Sequence, residues 1–540
     1  MPTLEWIGKD KVINHHLEVP YRVLEEQYTY NAEKSENMII RGDNLEALKA
    51  LLPRYEGRVK CIYIDPPYNT AHSTDDNRKW VYNDNVDSPE MKRWFGKVVG
   101  DEGEDLSRHD KWLCMMYPRL KLLRRLLSND GIIFISISDV ERDHLKMICN
   151  EIFGVSSFVA NIIWQNNYSP RNDAKDITYV TDNILAYSRN PGWQPKRLER
   201  TDDMDARYST PDGDPIPWTS SPAHAPSART HKGMVYAIQH PYTGKLFYPP
   251  AGRCWAQEQS KVLMIMNEWA NYKLELIEDA AIRASICGED DADNMPKIKA
   301  VLLDENIETA RKKAEQRYRQ GCWPTFYFTA RGRGGMRVKK HIDSMDGKAV
   351  TTLWPYGEVG SNTEAKNELK KIFDGRVPFD TPKPSRLIER ILHIATAPNS
   401  IILDSFAGSG TTAHAVLNMN KANGGKRKFI LVEMMDYAES ITAERVKRVI
   451  DGYGGGKQAV EGTGGDFTFY DLGPVLLLPN GNLNEEVGAE KIREYVYFME
   501  KKSSIEPCKE DEPYYMGTHL DSAYYFYYHR DCLTTLSRDF

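Results

Sequence analysis

A chain of 540 residues and 61.9 kDa has room for two or three domains, each with its own core. With a mean hydropathy of −0.57 and no apolar run near ~18 residues, it lacks a membrane-spanning helix, and residues 1–11 carry no signal-like apolar core. Eight scattered cysteines without a Cys-x-x-Cys pair argue against a disulfide framework or a zinc site and fit a reducing cytoplasm, while a net charge of −6 leaves room for a locally basic face.

Residues 1–34 mix charge with Trp6, Tyr21, Tyr28 and Tyr30 and read as a partly helical arm. Met38-Ile39-Ile40-Arg41 predicts a short strand, Gly42-Asp43-Asn44 a loop, and Leu45, Leu48, Leu51 and Leu52 a helix. That helix leads into a second buried strand, Cys61-Ile62-Tyr63-Ile64, expected to lie parallel to the first. The second strand stops at Asp65-Pro66-Pro67-Tyr68, because proline has no N–H with which to continue a ladder. Two fixed φ angles hold the Asp65 carboxylate and the Pro66 carbonyl as paired acceptors beside the Tyr68 ring, an arrangement suited to a planar ring with an exocyclic amine. A strand capped by a plain proline turn is the competing reading.

Residues 70–110 are polar and too long for an ordinary connection. Leu113, Met116, Leu120, Leu123 and Leu127 then recur at helical spacing, 132–137 reads as a buried strand and 139–153 as a helix, with strands at 158–164 and 183–187. Residues 35–190 are therefore half of an α/β domain. Over residues 191–378 the composition shifts to Pro, Gly, Trp and charge, which predicts a separate, loop-rich domain. Within it, residues 311–340 hold ten basic residues and one acid, interleaved with Trp323, Phe326, Tyr327 and Phe328. Arg331, Arg333, Arg337, Lys339 and Lys340 are the candidates for tracking the phosphates of a nucleic acid, with a solvated charged face as the alternative.

The α/β pattern resumes over 379–452. After Thr381-Pro382-Lys383-Pro384 and a helix at 385–396 comes a strand running into Asp404-Ser405-Phe406-Ala407-Gly408-Ser409-Gly410-Thr411-Thr412. Small residues there let a ligand approach the backbone, and Thr411 or Thr412 can cap the next helix. No Lys follows Gly410 and the Walker spacing is absent, which rules out a phosphate loop. Glu433 ends the following strand, where an acid suits ribose hydroxyls. Glycine-rich turns then lead to a small C-terminal subdomain, 453–540, whose run Ala523-Tyr524-Tyr525-Phe526-Tyr527-Tyr528 reads as a buried strand, with a surface that another chain covers as the alternative.

In this order, Gly42-Asp43-Asn44, Asp65-Pro66-Pro67-Tyr68, Thr381-Pro382-Lys383-Pro384, Phe406 to Thr412 and Glu433 resemble the β-class amino-methyltransferases of DNA, and most of all the modification (Mod) subunits of type III restriction systems. The resemblance implies a circularly permuted methyltransferase fold, a mainly parallel seven-stranded sheet with one antiparallel strand, interrupted by a target-recognition domain. It implies S-adenosylmethionine as cofactor, held by Asp404, Phe406, Ala407, Gly408, Ser409, Gly410 and Thr411, with Glu433 at the ribose, Asp43 at the adenine, Lys383 and Pro384 as a wall, and Asp65 reaching both ligands. Asp65, Pro66, Pro67 and Tyr68 would hold a flipped-out base and no metal would be needed. Double-stranded DNA, a second copy of the chain and a restriction (helicase-nuclease) subunit are the implied partners, in a prokaryotic cytoplasm. Asp at position 65 favours the N6 amine of adenine over the N4 amine of cytosine, and a DNA-recognition subunit that keeps the fold without turnover is the further alternative, against which intact Asp65, Tyr68, Gly408 and Glu433 speak.

Overall fold

Runs of β-branched and aromatic residues that stop at an acid or a glycine build the central sheet of the protein, seen here in a computed structural model that describes residues 3–69, 108–168, 177–501, 514–519 and 522–527. The polar stretch at 70–107, expected to be a long connection, lies outside the described residues. Ten strands form one sheet in the order Arg22–Tyr30, Phe467–Val475, Met38–Arg41, Lys428–Glu433, Ile401–Asp404, Val59–Ile64, Leu127–Ile137, Thr181–Ser188, Phe158–Gln165 and Leu353–Trp354. The seven from Met38–Arg41 to Phe158–Gln165 run parallel except Thr181–Ser188, which is antiparallel to both neighbours. This is the implied seven-stranded methyltransferase sheet, extended by two strands at one edge and one at the other.

Alternation along the strands supplies both faces. Ile62, Ile64, Ile133, Ile135, Leu403, Ile430 and Val432 share one core with the helices Asn44–Tyr55, Arg108–Leu126 and Asp139–Phe153. Cys61, Phe429 and Leu431 point the other way and are equally buried. The helices Ser385–Ala395, Thr411–Asn423 and Glu444–Asp451, which pack on one another, cover that face.

Three expectations need correction. The 1–34 arm is not separate: Arg22–Tyr30 is an edge strand, Lys9 pairs with Glu151 at 3.1 Å, and Lys49 donates to the carbonyls of His16 and Leu17. Nor is 467–472 part of a C-terminal subdomain, because Phe467–Val475 lies in the sheet, parallel to Met38–Arg41. The tail does form a strand, Ser522–Tyr525, paired with Tyr515–His519, but Tyr525 is 62% exposed.

The second compact unit is Arg197–Ala349, while Val350–Phe540 groups with Met1–Lys196. Residues 350–378, expected in the inserted domain, thus belong to the sheet-bearing unit, where Leu353–Trp354 is an edge strand and the helix Asn362–Ile372 supplies Glu368 to buried Arg445. The inserted unit has its own aromatic core of Trp218, Tyr236, Trp255, Trp269 and Phe326 to Phe328.

That core also claims part of the basic run. The Lys339 ammonium is fully buried, paired with Asp212 and, at 2.8 Å, with Asp214, and lies 5.0 Å from the Trp218 ring centroid. Burial pushes both carboxyls up, but hydrogen bonds from Lys339, and from His341 on Asp214, outweigh it and hold them below the usual range. Removing one partner of a buried pair strands the other charge, so Lys339→Ala should destabilise this unit by roughly 3–5 kcal/mol. Exposed Lys340→Ala should change it by less than about 0.5 kcal/mol. Hydrogen exchange in the strands Trp218–Pro222 and Met336–His341 reads the difference, and unchanged protection in Lys339→Ala would show that the pair is dispensable.

Candidate active site

Four neighbouring parallel strands end in acids on one edge of the sheet. Asp404 and Glu433 are the last residues of their strands, Asp65 directly follows Ile64, and Asp43 lies two residues beyond Arg41. Ligands of open α/β sheets bind at this carboxyl edge.

Asp65 and Tyr68 form one wall. Three contacts from other elements fix their backbone: Trp112 donates its indole N–H to the Pro67 carbonyl at 2.7 Å, Ser138 its hydroxyl to the Tyr68 carbonyl at 3.3 Å, and Asn69 its amide to Glu141 at 2.5 Å. Asn69 is fully buried with φ of 57°, a left-handed conformation that asparagine tolerates better than most residues. Lys383, expected on the cofactor wall, reaches further. Its ammonium pairs with Asp65 Oδ2 at 2.5 Å and stands 4.9 Å from the Tyr68 ring centroid, inside the proposed base pocket. A second acid, Asp182, faces the same ammonium; burial raises its carboxyl against the opposing pull of Lys383.

The glycine turn forms the other wall. One cleft is lined by Tyr63, Asp65, Phe379, Thr381, Pro382, Lys383 and Asp404 together with Phe406, Ala407, Gly408, Ser409, Thr411 and Thr412. Gly408 and Gly410 have φ of 52° and 81°, so each is needed as glycine for the backbone alone. A Cβ on Gly408 would stand 3.2 Å from the Phe379 ring, and one on Gly410 would stand 3.0 Å from the Thr442 carbonyl. The close approach at Gly410 is therefore to the protein's own backbone.

Buried carboxylates hold this turn from below. Asp404 accepts from the Phe406 N–H at 3.0 Å and the Thr412 hydroxyl at 2.5 Å; Glu433 accepts from the N–H groups of Gly408 at 2.8 Å and Met435 at 3.1 Å. Burial pushes both carboxyls up to about 7. Neither Thr411 nor Thr412 caps the following helix, as the sequence implies; Gly410 occupies that position. Thr411 instead donates to the Lys383 carbonyl at 3.3 Å and accepts from Arg445 at 2.7 Å, linking the two walls.

Other candidates are placed differently from expectation. Asp43 sits at the right edge, yet its Oδ1 caps the helix Asn44–Tyr55 through the N–H groups of Leu45 and Glu46, and its Oδ2 lies 3.3 Å from buried Arg119. Pro384 is buried as the N-cap of Ser385–Ala395, and Pro382 lines the cleft in its place. Within the inserted unit Arg331, Arg333 and Lys340 are exposed, and Arg337 is hydrogen-bonded to Ser220. Lys339, Phe326, Tyr327 and Phe328 are buried and cannot present themselves to a nucleic acid. Phe379, Thr442, Arg445, Trp112 and Asp182 escape the sequence reading. Only Asp182 carries a signal, as an acid near the start of an antiparallel strand, which brings it to the same edge.

The sheet order is that of the methyltransferase fold, with a cleft at its carboxyl edge that brings Asp65 and Lys383 against the glycine turn. The chain belongs to the DNA methylase family of N6/N4 type, whose model matches residues 59–444, more than half of its length. It is 29% identical over 446 residues to the StyLTI Mod subunit of a type III restriction-modification enzyme from Salmonella typhimurium, covering 79% of this chain and 57% of that protein. It is 28% identical over 457 residues to the EcoP15I Mod subunit of Escherichia coli (80% and 64%), and 28% over 423 residues to the type II methyltransferase M.KpnI of Klebsiella pneumoniae (75% and 84%). The chain thus spans under two thirds of the two Mod subunits.

The raised Asp404 carboxyl sets a pH dependence. The native state keeps a proton that the unfolded chain, with an ordinary carboxyl near ~3.9, has already released, so Asp404's contribution to stability falls as pH rises from about 4 to about 7 and is level above. Asp404→Asn stays neutral, can accept from the Phe406 N–H and can donate to Thr412. Denaturant melts at pH 5 and pH 8 should show the wild type losing on the order of a few kcal/mol more than this variant. Parallel losses would mean that Asp404 is ionised in the folded protein throughout.

Proposed function

We propose that the protein is a DNA methyltransferase that moves a methyl group from S-adenosylmethionine to the N6 amine of an adenine turned out of the duplex. The observation that carries this reading is one cleft joining Asp65 and Lys383 to the glycine turn Phe406 to Ser409.

The residues present fit the cofactor. The turn exposes small side chains, Phe379 and Phe406 offer apolar surface, and the carboxylates of Asp404 and Glu433 preset the backbone. Ala407 to Ser409 would hold the methionine end, with Glu433 near the ribose. When bound, the cofactor supplies an electrophilic methyl group on a sulfonium. A base inside a duplex cannot reach the cleft and must be extruded at a cost of a few kcal/mol, which stacking on Tyr68 offsets. The amine lone pair is conjugated into the ring and weakly nucleophilic. Hydrogen bonds from its N–H groups to Asp65 and to the Pro66 carbonyl favour a pyramidal nitrogen, so catalysis rests on positioning and electrostatics. Entry of the amine at Oδ2 requires the Lys383 ammonium to give up that oxygen.

Asp65→Ala should therefore lower methyl transfer by about 10²–10³-fold or more, with folding and cofactor binding retained. The assay is incorporation of labelled methyl into duplex DNA, followed by nucleoside chromatography. N6-methyladenine is the expected product. N4-methylcytosine would overturn the adenine assignment, which rests on Asp at position 65, and near-normal turnover of Asp65→Ala would overturn the amine pocket.

Duplex DNA is the proposed partner of residues 197–349, through the exposed Arg331, Arg333 and Lys340. Replacing all three with Ala should weaken binding to every sequence and flatten the slope of log affinity on log salt by roughly 0.9 for each phosphate that is no longer neutralised. If neither affinity nor slope moves across a salt series, this patch does not touch the backbone. A second copy of the chain and a restriction subunit are proposed from the resemblance to Mod subunits; light scattering and co-purification test them.

A further inference from the structure

Behind the Asp65 to Tyr68 wall, two histidines converge on one buried carboxylate. Glu141, in the first turn of Asp139–Phe153, is 0% exposed, with His144 one turn further along the same helix and His109 in the first turn of Arg108–Leu126. His109 Nδ1 lies 2.6 Å from Glu141 Oε1, His144 Nδ1 lies 2.9 Å from Oε2, and the ring centroids are 4.9 Å apart. One potential ligand atom from each of the three residues falls within a single 4.8 Å cluster. Around a tetrahedral ion bound at 2.0–2.2 Å, neighbouring ligand atoms stand about 3.3–3.6 Å apart, so small side-chain rotations would fit this cluster to a metal.

We propose that His109, Glu141 and His144 bind one divalent transition-metal ion of the zinc class, which clamps the back of the base pocket. The donor chemistry selects that class: two imidazole nitrogens and one carboxylate suit Zn²⁺ and its first-row neighbours, whereas Mg²⁺ and Ca²⁺ prefer oxygen alone. Both rings are about one-third exposed, at 38% and 35%, which leaves an entry path and room for water ligands. Asn69 supplies the outer partner, donating to Glu141 Oε1 at 2.5 Å and so orienting the carboxylate. Since Asn69 directly follows Tyr68, an ion here would stiffen the pocket without touching the reaction. The competing account is a buried glutamate satisfied by three N–H donors, and the metal titration below separates it from a metal site. Sequence alone points to no metal site, because the ligands are not spaced as a motif.

The test uses the untagged full chain, stripped with chelator and titrated with ZnCl₂ by calorimetry, with CoCl₂ absorption as a spectroscopic check. One equivalent of Zn²⁺ should bind and raise the melting temperature, and Mg²⁺ should do neither. His144→Gln and His109→Gln keep an N–H for Glu141 but lose the imidazole, and each should weaken Zn²⁺ binding by about 100-fold or more with the metal-free melting temperature little changed. The site is overturned if the wild type takes up no Zn²⁺, if Mg²⁺ binds as well, or if both Gln variants bind Zn²⁺ as the wild type does. Because the readout is metal uptake, it is independent of whether the chain methylates DNA.

Discussion

Two buried carboxylates under a glycine turn are the constraint on which the rest of the site depends. A turn with φ of 52° at Gly408 and 81° at Gly410 leaves amide groups aimed inward, and an unpaired buried amide costs about 1–3 kcal/mol. Asp404 and Glu433 take up the N–H groups of Phe406, Gly408 and Met435, which is possible only because their strands are adjacent, with Asp404 paired to Leu431 and Glu433 two residues further along. The sheet register therefore sets the geometry of the turn. Shift the strand Lys428–Glu433 by one residue and its alternation inverts, removing both the core packing of Ile430 and Val432 and the acceptor beneath Gly408.

The same logic explains how a permuted chain order can build one cleft. The strand Val59–Ile64 and the strand Ile401–Asp404 are remote in sequence, yet they pair directly, Cys61 with Ile402 and Ile62 with Leu403. That register brings Asp65 to within two residues of the level of Asp404, at the same edge of the sheet. Parallel neighbours need crossovers, not proximity in sequence, and a crossover places no limit on how much chain is inserted within it. A self-contained unit such as Arg197–Ala349, with its own aromatic core, can occupy that insertion without disturbing the sheet.

Much of this is legible in the sequence because strands and turns write themselves locally. Period-two apolar runs ending at Asp65, Asp404 and Glu433, with prolines or glycines just beyond, predict the element, its end and the acid at that end. What escapes is decided over long range. Lys339 reads as a surface cation until Asp212 and Asp214, more than a hundred residues away, close around it; its neighbour Lys340, on the other face of the strand, is exposed. Phe467–Val475 reads as part of a separate subdomain because both of its partners, Arg22–Tyr30 and Met38–Arg41, lie at the opposite end of the chain. The tyrosine run near the end reads as buried from its apolar content, but a two-stranded hairpin covers it on one side only: Tyr524 packs on Tyr497 and Phe526 on the Ile492 and Tyr495 cluster, while Tyr525 is exposed.

Lys383 ties the two walls of the cleft together. Its carbonyl accepts from Thr411 on the cofactor turn, while its ammonium holds Asp65 and covers Tyr68, so one residue spans the space between them. A carboxylate at the mouth of a partly apolar pocket needs a counter-charge while the pocket is empty, and Lys383 supplies it with Asp182 balancing from behind. An arriving amine offers Asp65 N–H donors in exchange, and the ammonium must then find its own acceptors elsewhere. On the reading proposed above, the ammonium would compete with the base amine for the same oxygen, and a ligand that offers Asp65 an N–H donor and Tyr68 a stacking face would take over two of the contacts that Lys383 makes. Discrimination would then come from what is displaced as well as from what is gained.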